Sequence, residues 1–239
     1  MLSVTDVIKA LKKAKKKTSG VPGDISGHLY ALFPDLLALP VTAIFNKITE
    51  TYIWPDAWKT EHVTIIPKCT TPTTFSDCRN ISCTNFLSKV YETFILNWSR
   101  SLVTPKWSQF GGGKRCGTDH FIVNALEYIT AALEDNRSAV IASSIDFSKA
   151  FNRLEHKFCL ETFARKGAST EILSILACFL SGRTMTVRVG KEWSVKRKVN
   201  SGARQGSVLG LHLFNVGIDD LEDDFHAPPE TVEHHDHLP

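Results

Sequence analysis

Apolar residues recur at helical spacing along most of this chain and cluster as strands in only a few places. Residues 3–17 predict a helix ending in a lysine cluster (Lys12, Lys13, Lys15, Lys16 and Lys17), broken by Thr18-Ser19-Gly20-Val21-Pro22-Gly23. The cluster suits a solvated helix end beside the negative end of the dipole, with nuclear import or RNA-backbone contact as alternatives. Residues 25–53 keep helical spacing, with Pro34 and Pro40 dividing them into short helices. Trp54-Pro55 and Trp58 lead into a β-branched strand, Val63-Thr64-Ile65-Ile66, which ends at Pro67-Lys68. After a Thr/Pro-rich loop (69–77), residues 85–102 predict a helix with Phe86, Leu87, Val90, Tyr91, Phe94, Ile95 and Trp98 on one broad face.

A Gly-rich turn, Gly111-Gly112-Gly113-Lys114-Arg115, precedes a second helix that Thr118 caps and that runs to about Leu133. The small, apolar and β-branched run from Ala139 to Ile145 has the character of a buried central strand, and it ends at Asp146. Two helices follow, about 155–166 and 170–181, then a hairpin (Thr184–Val189 and Ser194–Val199) turning at Gly190, and a last helix from near Ser207. The stretch from His226 to Pro239 holds four His and three Pro with little apolar content, which predicts disorder.

At 239 residues and 43% apolar, the chain can bury one sizeable core or two small ones. Its formal charge of +3 hides an asymmetry: the first 218 residues hold all 28 Lys and Arg against 17 acids, a net of +11. A body that basic suits a polyanionic partner, because phosphates neutralised by Lys and Arg release counterions; a solvated basic surface is the alternative. Six Cys at irregular spacing form no zinc pattern. With a polar N-terminus and no long uncharged apolar run, reduced thiols in the cytosol or nucleus are expected, and no membrane span.

Three constellations carry candidate chemistry. Asp146, at the end of its strand and followed by Phe147-Ser148-Lys149-Ala150-Phe151, is placed for a hard cation. Mg²⁺ takes oxygen ligands and combines one or two carboxylates with substrate phosphates, although a strand-ending Asp also serves as a turn or cap residue. In Ser201-Gly202-Ala203-Arg204-Gln205-Gly206-Ser207 two glycines bracket Gln205 and let backbone approach a ligand closely; a loop capped at Ser207 is the plainer account. Lys68, and Arg79 in Asp77-Cys78-Arg79-Asn80-Ile81-Ser82, offer a point charge and a planar fork to phosphate, or are simply solvated.

Taken in order, these segments resemble the reverse transcriptase domain of non-LTR retrotransposons over about residues 18–221. Gln109-Phe110-Gly111 and Phe179-Leu180-Ser181-Gly182-Arg183 support the likeness, while Asp146–Phe151 and Gly202–Asn215 carry most of it. The resemblance implies an α+β fold: right-hand polymerase fingers plus a partial palm, helix-rich with a short antiparallel sheet. It divides the chain into a basic N-terminal helix (1–17), fingers (18–135), partial palm (136–225) and disordered tail (226–239). It implies an RNA-directed DNA polymerase acting on an RNA template, a DNA primer and dNTPs with Mg²⁺ (Mn²⁺ possible). Asp146 matches the first of three metal-binding aspartates, with the Phe147 carbonyl completing part of the coordination. Phe151 matches the aromatic steric gate under the incoming sugar. Lys68 and Arg79 match triphosphate contacts, and Gln205 and Gly206 match the loop that positions nucleotide and template.

The departures from that family are specific. Arg79-Asn80-Ile81 stands where members usually read Arg-Pro-Ile, and Arg204-Gln205-Gly206 where they read Pro-Gln-Gly. Leu209-Gly210-Leu211 replaces Leu-Gly-Pro or Leu-Ser-Pro, and Asn152 an Asp. Lost prolines loosen loops that need preorganisation. The Phe/Tyr-x-Asp-Asp hairpin with the other two aspartates is missing; Ile218-Asp219-Asp220 matches instead a solvated helix end. The expectation is therefore a truncated domain, inactive as a polymerase by itself, or a non-catalytic RNA- or DNA-binding remnant.

Overall fold

The computed structural model describes all residues except 14–20, 75–76, 107, 113–115, 135–138, 145, 148–149, 205 and 222–239. Helix α1 (Val4–Lys12) starts at Ser3, whose hydroxyl accepts the Asp6 N–H, and it buries Val7 and Leu11. Lys15, Lys16, Lys17, Lys114, Arg115 and the expected tail lie outside the described residues. Helices α2 (Gly27–Leu32) and α3 (Pro34–Thr51) follow, and Asn46 of α3 exchanges two hydrogen bonds with the Leu2 backbone at 2.7 and 3.0 Å.

Pro34 divides the helices as expected, at the first position of α3, where its missing N–H costs nothing. Pro40 does not: α3 runs straight through it. Its ring lies on the exposed side, so the Leu36 carbonyl it leaves unpaired can be solvated, while Ala38, Val41, Phe45 and Ile48 bury the opposite side.

After α4 (Asp56–Lys59) come β1 (Thr60–Pro67), β2 (Cys78–Cys83), α5 (Phe86–Leu102) and α6 (Thr118–Glu134). Then follow α7 (Ala150–Arg153), α8 (His156–Arg165), α9 (Thr170–Leu180), β3 (Arg183–Val189), β4 (Glu192–Trp193), β5 (Arg197–Val199) and α10 (Gly210–Gly217). The fold is α+β, as expected, but its sheet is mixed rather than antiparallel. β1 pairs antiparallel with β2 and parallel with β3, and β3 pairs antiparallel with both β4 and β5. The helical stretch between β1 and β3 is long enough to bring the chain back to the same end of the sheet, which a parallel neighbour requires.

One continuous core joins α1, α3, α5, α8, α9 and α10. At its centre Trp54 meets Phe179 at 5.0 Å and Tyr91 at 5.2 Å between ring centroids, and Phe45 meets Tyr91 at 5.0 Å.

The expected buried strand before Asp146 does not appear among the described residues. Residues 139–144 pair with no strand among the described residues, only Val140 is half-buried, and Ile141 is 91% exposed. β-propensity makes a strand only when a neighbour accepts its backbone hydrogen bonds and covers its side chains. Helix α6 forms where expected, yet it buries no residue, and Phe121, Leu126 and Tyr128 stay in solvent.

Candidate functional site

The two most distinctive sequence segments meet. Residues 201–204 lie against residues 150–156, where the Ala203 N–H donates to the Phe151 carbonyl and the Gly202 N–H to the Leu154 carbonyl, each at 2.7 Å. His156 Nε2 sits 3.0 Å from the Gly202 carbonyl. Gly202 has a φ of +89°, and a Cβ there would stand 2.9 Å from the Phe151 oxygen and 3.0 Å from Asn152 Cα, so glycine is required twice over. Gly206 (φ +114°) is packed as tightly, a Cβ falling 2.6 Å from the Ser82 carbonyl of β2. Phe151 stacks on Phe214 of α10 with ring centroids 4.4 Å apart.

A buried polar frame holds this loop. Arg183 pairs with Glu61, and Arg204 Nε lies 2.8 Å from the same Glu61 oxygen. Arg204 also donates to the Trp58 and Lys59 carbonyls at 3.3 and 3.4 Å, and both guanidinium groups lie over the Phe179 ring. Burial, then the like charge of Arg204, pulls Arg183 below its ordinary value; burial does the same to Arg204, with Glu92 pulling it back. The fully buried Glu92 of α5 accepts the Val208 N–H at 2.8 Å and the Leu209 N–H at 3.3 Å, ahead of α10. Burial pushes its carboxyl upward. Sequence reasoning missed Glu61 and Glu92. The available signal was Glu92's place among Ser88, Tyr91 and Ile95 on the buried face of α5, where an acid needs partners.

Asp146 and Phe147 are exposed and line a cleft of about 1020 Å³ with Phe158, Arg165, Phe214 and Asp220. Lys68 and Arg79 do not line it. They sit, exposed, at the loop end of the β1–β2 hairpin, where Arg79 faces Ile66 and the Lys68 N–H donates to the Asp77 carbonyl at 2.7 Å. The structure thus joins Phe151 and Gly206 to one framework and leaves Lys68 and Arg79 outside the cleft that Asp146 lines. Gln205 lies outside the described residues.

Asp219 and Asp220 are committed to cations of the chain. The buried Asp219 accepts the Lys106 N–H at 2.8 Å and lies 2.5 Å from Lys166 Nζ. Asp220 pairs with Arg165 at 2.9 Å and with Lys166 at 3.2 Å. Burial alone would lower Lys166, but the hydrogen bonds and charges of the two aspartates outweigh it and leave its amine above the ordinary value. Among the described residues no three His, Cys, Asp or Glu are grouped to hold a metal ion. The expectation that Asp219-Asp220 closes a helix holds in position, directly after α10, but Asp219 is buried and clamped rather than solvated.

Residues 66–234 match the family described as Reverse transcriptase (RNA-dependent DNA polymerase), and the chain belongs to that family, as a domain of the non-LTR retrotransposon kind. Over 236 residues, 94% of this chain and 25% of the relative, it is 29% identical to the RNA-directed DNA polymerase from mobile element jockey of Drosophila melanogaster. A probable RNA-directed DNA polymerase from transposon BS of the same fly is 28% identical over 92% of this chain and 25% of its own length. A Pol polyprotein from the type-1 retrotransposable element R2 of Popillia japonica is 28% identical over 70% of this chain and 24% of its own length. The chain spans about a quarter of the length of these curated relatives. Among the described residues no helix is long and apolar enough to cross a membrane.

Proposed function

We propose that this chain is the fingers (18–135) and part of the palm (136–225) of an RNA-directed DNA polymerase, and that alone it does not extend a primer. In this reading Asp146 and the Phe147 carbonyl face the metal side. Phe151, Gln205 and Gly206 shape the nucleotide pocket, and Lys68 and Arg79 meet phosphate. The observation that carries it is the packing of Gly202 and Ala203 on Phe151 and Asn152, which ties both distinctive motifs into one unit. Among the described residues no two-metal site is made. Such chemistry needs ions roughly 4 Å apart held by several carboxylates, and of the two other described acids that line the Asp146 cleft, Glu155 and Asp220, the second is neutralised by Arg165 and Lys166.

The test is primer extension on an RNA template with dNTPs and Mg²⁺ or Mn²⁺. No incorporation is expected; incorporation that Asp146→Ala abolishes would show the chain to be an active polymerase. A non-catalytic RNA- or DNA-binding role is the second reading, favoured by the net +11 of the first 218 residues.

A further inference from the structure

Helix α6 is amphipathic, yet none of its 17 residues is buried. Ala125, Ile129 and Ala132 mark the middle of its apolar side and are half-buried. Phe121, Ile122, Leu126, Tyr128 and Leu133 flank them, and at helical spacing the whole set falls within about 160° of arc. These five large side chains keep 47–69% of their surface in solvent. Phe110 meets Phe121 edge-on at 5.9 Å and still leaves that ring open. A helix of this length is marginal in water without a packed face. At about 200 Å² for each large side chain, the arc exposes roughly 500 Å² of apolar surface. A patch of that size marks an interaction site more often than idle surface.

The chemistry of the helix selects its partner. It carries Asp119, Glu127 and Glu134 and no Lys or Arg, so it offers a phosphate chain or an anionic bilayer only repulsion. Its own pattern suits a second copy. When two α6 helices lie antiparallel about a twofold axis level with Glu127, Ala125 meets the partner's Ile129 and Ala132 meets the partner's Ile122. Phe121 then meets the partner's Leu133, and Leu126 the partner's Tyr128. Each alanine faces a larger residue, which lets the helix axes approach to about 8–10 Å. The antiparallel order also sets opposite ends of the two helix dipoles side by side. A parallel pair would put alanine against alanine at 125 and 132 and leave gaps beside the rings. Two copies together cover about 1,000 Å², the lower bound for a specific interface.

We propose that this chain forms a symmetric dimer through the apolar face of α6, packed antiparallel on the same helix of a second copy. The proposal stands on this helix and not on the polymerase reading, which primer extension tests separately.

The test is sedimentation equilibrium of the whole chain from about 1 to about 200 µM. A reducing buffer excludes disulfide-linked pairs, because all six cysteines are free. An interface of this size predicts a dimer that forms in the micromolar range. Leu126→Lys and Tyr128→Glu should each raise the dissociation constant at least about tenfold. Neither side chain is buried within one copy, so both variants should melt as the native chain does at low concentration. Mixing the two variants should restore a dimer, because the antiparallel register sets the introduced amine against the introduced carboxylate. Leu36→Lys, at an exposed apolar site on α3, should leave association unchanged. A chain that stays monomeric at the highest concentration overturns the proposal and leaves this face to a segment of a different polypeptide. So does a mixture that stays monomeric, or a dimer that the α6 variants leave as tight as before. Equal weakening by Leu36→Lys would show that the contact does not run through α6.

Discussion

Gly202 faces the Phe151 carbonyl so closely that an added Cβ would stand 2.9 Å from that oxygen, at a backbone φ of +89°. The relationship couples the two segments on which the family likeness chiefly rests, and it uses backbone rather than side chains to do so. Gly202→Ala should therefore cost about 2–3 kcal/mol, combining a left-handed backbone with a clash against main chain that cannot swing away. A drop in denaturation midpoint checks it. Gly190→Ala has nothing within 4 Å of its added Cβ and should cost only the strain of its φ of +61°. Equal losses at the two sites would show that the Phe151 contact contributes nothing.

Glu92 is the second support of the same loop. Glu92→Ala leaves the Val208 and Leu209 N–H groups without their acceptor and removes the charge that favours Arg204, a loss of about 3 kcal/mol or more. The pH dependence tells more. Burial raises this carboxyl above its unfolded value of 4.5, so between the two values the folded state holds a proton that the unfolded state has released. Its contribution is greatest below 4.5 and declines as pH rises through the folded value. Glu92→Gln should remove that decline; chemical denaturation of native and variant chains across pH 4.5–8 reads the difference. Parallel curves would mean that the carboxyl is not raised.

His212 works in the opposite direction. Burial, then the charge of Arg100, lowers it to about 4, and its Nε2 lies 2.9 Å from the buried Ser99 hydroxyl. The unfolded chain takes up a proton near 6.5 and the folded chain does not until about 4. Stability is thus complete above 6.5 and falls by roughly 3 kcal/mol as pH drops between those values. His212→Gln should be less stable at neutral pH, yet flatter between pH 6.5 and 4 by urea denaturation.

Asp219 separates a structural acid from a metal ligand. Asp219→Ala should destabilise the chain by about 3 kcal/mol, since Lys166 loses a buried partner and the Lys106 N–H its acceptor. Millimolar Mg²⁺ should leave the melting temperature of the native chain unchanged. A rise with Mg²⁺ that Asp219→Ala abolishes would reassign this aspartate to metal.

Much of the secondary structure was legible because local forces decide it. Ser3, Asn85 and Ser169 cap the helices they precede, and the apolar faces of α5, α8 and α9 follow a 3.6-residue period that points inward in any packing. The family likeness was legible for a related reason: the glycines at 202 and 206 mark close backbone approaches that no other residue allows.

What stayed hidden in the sequence depends on partners distant along the chain. Residues 139–144 have the composition of a buried strand, but a strand exists only through a neighbour's hydrogen bonds, and none is offered among the described residues. Whether β1 meets β3 parallel or antiparallel, and that Glu61 and Glu92 anchor the loop from two other elements, follow from tertiary packing alone. The chain's own order determined its helices, its turns and the family to which it belongs. Only the folded arrangement decided which carboxylates are bound by cations of the chain and which side chains share a cleft, because desolvation and pairing act between groups far apart in sequence.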